Sequence, residues 1–133
     1  MIFGGIHNNY VQFNRGTRWT EGHVLFRAIY AEHSDPHAIG VILEAEGKVY
    51  YITGDTLYST RIFPDLPSHI DYVFLPVNGV GNNMNMTDAR CFCETLGAVA
   101  IPLHCSLFDE KRLSDFAYEP KVVPEFYKEI MLT

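Results

Sequence analysis

Three side chains able to bind a metal ion follow directly on apolar runs: His33 in AEHSDPHAIG, Asp55 in YITGDT and His104 in IPLHCSLF. Imidazole nitrogen and carboxylate oxygen are good ligands for zinc and its first-row neighbours. A sheet fixes such groups at its strand ends, where loops admit a substrate. Each residue also has an ordinary structural reading. A histidine beside a strand can simply hydrogen-bond, and an aspartate after a glycine can form a turn. Asp55 raises the sharper question, because it follows the β-rich run Val49–Ile52 and an ionised carboxylate near a core needs hydrogen bonds, a cation or a metal.

The elements that must position these residues can be read from hydropathy and turn signals. Residues 23–31, 38–45, 48–54, 71–77 and 98–102 are apolar, β-rich runs and predict strands. Glu46-Gly47 between the second and third predicts a tight antiparallel hairpin. Residues 58–70, interrupted by Pro64 and Pro67, predict at most a short irregular helix. The loop 78–85, NGVGNNMN, leads into a helix with Asn85 as N-cap, Asp88 in the first turn, an apolar stripe of Ala89, Phe92, Cys93 and Leu96, and Gly97 as its stop. In the tail, Pro124 followed by Phe126, Tyr127, Ile130 and Met131 suggests a short amphipathic helix, with a terminal strand as the alternative. Residues 1–22 give no clear pattern. Strand, loop, helix and strand in succession make this an α/β chain.

Bulk composition narrows the function classes. The 133 residues suit a single domain, 1–133, and 47% hydrophobic with 14% aromatic residues is core-forming material. The formal charge of −6, from 16 acids against 10 bases, argues against nucleic acid as a partner. No run reaches the ~18 apolar residues of a membrane span. The opening MIFGGIHNNY lacks a basic segment followed by an apolar one, so a cytoplasmic location is expected. Three cysteines suit a reducing compartment. Cys91 and Cys93 would project about 200° apart on a helix, which is poor geometry for one metal, and are expected as buried thiols. His37 is expected at the surface.

Taken in order, HSDPHAIG, YITGDTLY, FLPVNGVGNNMN and IPLHCSLF closely resemble the C-terminal half of metallo-β-lactamase-fold hydrolases, in particular the L-ascorbate-6-phosphate lactonase-like branch. The resemblance covers roughly residues 23–108. It implies half of an αββα sandwich, one mixed sheet with flanking helices, and a divalent metal, Zn or Mn, at one sheet edge. It further implies His33 and His104 as histidine ligands and Asp55 as the carboxylate bridging two metals, with Asn78, Asn83 and Met84 near a small-molecule substrate. The expected activity is metal-dependent hydrolysis of a lactone or phosphoester, because two dications lower the pKa of bound water and stabilise a developing oxyanion.

The H-x-H-x-D-H run of that family is absent, and the upstream histidines, His7 and His23, stand alone. The chain by itself is therefore expected to be incomplete as a hydrolase. The competing reading is a truncated, non-catalytic domain acting as an interaction or structural protein. Cys105, next to His104, is either an added thiol at the metal or an inert buried residue. Half a sandwich exposes an apolar sheet face, so a homo-oligomer, or a partner chain supplying the missing half, is expected.

Overall fold

The computed structural model describes residues 12–104 and 112–132. Its centre is a six-stranded mixed sheet whose spatial order follows the chain: β1 (Arg18–Glu21), β2 (Val24–Tyr30), β3 (Ile39–Ala45), β4 (Lys48–Ile52), β5 (Tyr72–Pro76) and β6 (Val99–Leu103). The first four strands form antiparallel pairs, while β4–β5 and β5–β6 are parallel. Glu46 and Gly47 both adopt positive φ, 51° and 76°, the mirror-image turn that matches strand twist. The predicted hairpin forms as expected, and all five predicted strands agree with the structure to within two residues at either end.

Helix α1 (Met86–Leu96) joins β5 to β6. Asn85 accepts the Asp88 N–H at 2.8 Å, and Gly97 closes the other end in the left-handed region, so both predicted stops are used. Ala89, Phe92 and Cys93 are buried against the sheet, with Leu96 partly covered. The Phe92 ring lies 5.6 Å from Phe63, 6.0 Å from Tyr58 and 6.1 Å from Tyr51. These contacts place α1 and the short 3-10 turn Phe63–Asp65 on one face, over Tyr51, Val73 and Ala100. The expected flanking helices therefore reduce, among the described residues, to this one α-helix and two 3-10 turns on the same chain.

Alternate residues point to the other face. There the register aligns Trp19, Phe26, Leu43, Tyr50 and Tyr72 in one cross-strand row. Ala28, Val41, Ile52, Phe74 and Ile101 form the next row. Tyr50 and Tyr72 stack at 5.4 Å.

Several expectations are corrected. Cys93 is buried, its thiol pushed up to about 12 by desolvation, but Cys91 is exposed because the 200° separation leaves it on the solvent side. The tail forms no helix. Instead Lys121 bridges Ala100 in parallel, the Ala100 N–H donates to Pro120 O at 3.0 Å and the Val122 N–H donates to Ala100 O at 2.8 Å. The free edge of β6 offers unpaired backbone groups, and these outweigh a weak local helix preference. Phe126, Tyr127 and Met131 consequently remain exposed.

Two further groups carry stability predictions. Tyr51 is fully buried and its hydroxyl has no hydrogen-bond partner, so burial drives its phenol pKa upward. Tyr51→Phe removes an unsatisfied polar atom and is expected to stabilise the fold by about 1 kcal/mol, as read from urea unfolding.

Asp65 accepts from Arg15 Nε and Nη2, each at 2.8 Å, and from the Tyr30 N–H at 2.9 Å, tying the 3-10 turn to the end of β2. The Arg15 guanidinium, chiefly by hydrogen bonding, holds its carboxyl below the usual carboxylate range. A depressed folded pKa gives stability that is present above the unfolded value and is lost as pH falls through the folded one. Below about pH 4, stability should fall less steeply with acid in Asp65→Asn than in the parent chain.

Candidate functional site

Strand direction decides where the loops gather. Because β2 and β4 are both antiparallel to β3, they run parallel to each other and to β5 and β6. The C-terminal ends of β2, β4, β5 and β6 thus lie along one edge. They lead respectively into His33, Asp55, Asn78 and His104. The sequence order of these residues becomes a spatial row.

Asp55 is held out between two anchored threonines. Thr53 and Thr56 are both fully buried. The Thr53 N–H donates to Phe74 O at 3.0 Å, continuing the β4–β5 ladder past Ile52. The Thr56 hydroxyl accepts the Glu32 N–H at 2.9 Å and donates to Leu57 O at 2.9 Å. Between them Gly54 adopts φ 64°, where a Cβ would come within 2.9 Å of Ile39 O. Only glycine fits this bend. Asp55 itself is about half exposed, so its desolvation is modest.

His104 follows β6 with φ 57°, uncommon for a non-glycine residue. Backbone strain of this kind clusters at functional sites. Its Nε2 stands 3.5 Å from Asp55 Oδ1.

His33 reaches the same edge but is otherwise engaged. Its Nδ1 accepts the Asp35 N–H at 2.9 Å. A backbone N–H can only donate, so neutral His33 carries its proton on Nε2 and has no free imidazole lone pair. Ligation by His33 requires that bond to open. His37 is exposed, as expected.

The rim is stitched together by the loop after β5. Met84 N–H donates to Thr56 O at 2.9 Å, and Gly79 N–H to Met84 O at 2.9 Å. Asn82 pairs with Ser34, accepting its N–H at 3.2 Å and donating to its hydroxyl at 3.0 Å. Asn78 folds back to accept the Val80 N–H at 3.1 Å. Asn83 Oδ1 is buried with no partner. Met84 is fully buried in the core, so the side chain expected near substrate packs inward because an apolar thioether gains more there. Asn82 was missed: an asparagine in a polar loop gives no local sign of its cross-loop partner. His7 and Cys105 lie outside the described residues.

Among the described residues, no group of three His, Cys, Asp or Glu is placed to hold a metal ion. Zinc takes three or four protein ligands. Asp55 and His104 are only two such groups, so the described residues do not make up a whole site of that kind. Among the described residues, no helix is long and apolar enough to cross a membrane.

No protein-family model and no curated protein matches the sequence. Solved structures do match. The metallo-β-lactamase fold protein YhfI from Bacillus subtilis superposes with a TM-score of 0.70 at 15% identity, over 85% of this chain and 51% of that one. A protein described as a candidate zinc-dependent hydrolase of the metallo-β-lactamase superfamily, from Thermotoga maritima, matches with a TM-score of 0.65 at 23% identity, over 78% and 56%. CmlA, a diiron β-hydroxylase from Streptomyces venezuelae, matches with a TM-score of 0.59 at 15% identity, over 69% and 24%. The chain thus carries half of a metallo-β-lactamase fold and spans about half the length of the first two structures. Two of these similar proteins are described as metal-dependent, one with zinc and one with iron.

Proposed function

We propose that this chain is the C-terminal half of a metal-dependent hydrolase acting on a lactone or phosphoester, with Asp55 and His104 as ligands to a divalent ion such as Zn or Mn. The observation that carries this reading is the approach of Asp55 Oδ1 to His104 Nε2 at 3.5 Å, at the shared end of parallel strands. His104 sits in a left-handed backbone conformation that costs a non-glycine residue, and Asp55 follows a left-handed bend that admits only glycine. A fold optimised for stability alone has no need of the strained His104. Asp55 contributes negative charge and two oxygen donors, and His104 one nitrogen. Asn83, in the loop beside this edge, has a buried Oδ1 without a partner, and a substrate would reach it only if that loop opened. His33 joins as a third ligand once its bond to the Asp35 N–H opens.

The engaged His33 and the presence of only two ligand residues, Asp55 and His104, among the described ones favour one alternative, a non-catalytic domain that keeps the fold. Supplying the chain with a second polypeptide that bears an H-x-H-x-D-H segment in the complementary half of the fold separates the two. The hydrolase reading expects metal affinity to rise at least tenfold and lactone or phosphodiester hydrolysis to appear. If the two halves associate and neither change occurs, the non-catalytic reading stands.

A further inference from the structure

Strands β1 and β2 carry a like-charge pair on the face that holds α1. The register sets Arg18 directly opposite Arg27, in the cross-strand row that continues through Ile42, Tyr51 and Val73 of the core. The Ala28 N–H donates to Thr17 O at 2.9 Å, so Arg18 and Arg27 form the next, non-hydrogen-bonded pair, where side chains stand closest. Like charges placed directly opposite destabilise a sheet. Among the described residues, neither guanidinium has a hydrogen-bond or ion-pair partner, whereas Arg15 and Arg90 are held by Asp65 and Glu94. Arg27 attracts Asp65 only through space, because Arg15 and the Tyr30 N–H already occupy both oxygens of that carboxylate.

The two arginines line an open pocket of about 200 Å³, together with Leu25, Ile42, Pro67 and Glu44. It lies on the helical face, so a second sheet packed on the other face leaves it open. We propose that this pocket binds a small organic carboxylate that also carries a hydrogen-bond donor and an apolar body, an amino or hydroxy acid. Each part of that ligand answers a part of the pocket. A carboxylate between Arg18 and Arg27 offsets their repulsion, and guanidinium planes match its geometry with paired hydrogen bonds. Glu44 stands opposite Leu25, one row further along the same face. Its negative charge opposes a bare polyanion and accepts from an ammonium or hydroxyl group on the ligand. Leu25, Ile42 and Pro67 cover the apolar body. The volume is below the ~300 Å³ at which drug-sized sites begin, so the ligand is of metabolite size. This binding is independent of whether Asp55 and His104 hold metal.

Titration of the full chain with leucine, leucic acid and inorganic phosphate, followed through the arginine Nε resonances, tests this. Leucine or leucic acid is expected to saturate the Arg18 and Arg27 signals with a Kd of about 1 mM or tighter, and the tighter of the two identifies the class. Isocaproate, which lacks both amine and hydroxyl, should bind about tenfold more weakly, and Glu44→Ala should remove that difference. Arg18→Gln, at an exposed position where folding is not at stake, should weaken binding about tenfold or more. Arg90→Gln, on α1, should leave it unchanged. Failure of both acids to saturate overturns the proposal, and so does an affinity that Arg18→Gln leaves unaltered. Phosphate binding as tightly as the acids, or an equal response at Arg90, indicates general counter-ion attraction and overturns it as well. None of these outcomes bears on the hydrolase reading, which stands or falls on metal affinity.

Discussion

Phe92→Ala is expected to destabilise the chain by about 3–5 kcal/mol, the largest effect of any single substitution considered. Phe92 is fully buried and its ring packs on Tyr51, Tyr58 and Phe63. It thereby joins helix α1, strand β4, the loop leading from Asp55 and the 3-10 turn. Truncation leaves a cavity lined by three large rings that cannot collapse together without moving the sheet. A single domain has a net stability of roughly 5–15 kcal/mol, so this loss is a large share of it. Thermal unfolding should report a fall of about 10 °C or more. A fall of only a few degrees would mean that α1 is held chiefly by its other contacts.

Gly54→Ala is expected to cost about 2–3 kcal/mol and to separate Asp55 from His104. Two penalties combine at this position. The residue has φ 64°, and the added Cβ meets Ile39 O at 2.9 Å, a backbone atom of β3 that cannot swing away. Gly47 provides the control: its φ is 76° and a Cβ added there would meet no atom within 4 Å, so Gly47→Ala incurs the backbone penalty alone. Urea unfolding of the two variants should therefore differ by about 1 kcal/mol or more. If they are equal, the bend before Asp55 is looser than its geometry indicates.

Legibility from sequence followed the locality of the signal. The β3–β4 hairpin and helix α1 are specified within a few residues, by Glu46-Gly47 and by Asn85 and Gly97, and both formed where expected. Strand β1 was not legible, because Arg18–Glu21 is exposed throughout and is a strand only through pairing with β2. The tail reversed for a related reason: backbone groups on the edge of β6, far away in sequence, captured Lys121 and Val122. At the site, the order of GDT and P-x-H indicated which residues belong together. The turn of Asp35 onto His33, and the inward packing of Met84, depend on loop geometry that no short motif encodes.

Asp55 and His104 are proposed to act together as metal ligands. Titration of the chain with Zn²⁺, followed through the side-chain nitrogen resonances of its histidines, addresses this without any assay of activity. His104 Nε2 is expected to respond before His23, His37 or His69, and Asp55→Ala to abolish this early response. A first response at another histidine, or an unchanged response in Asp55→Ala, would contradict it.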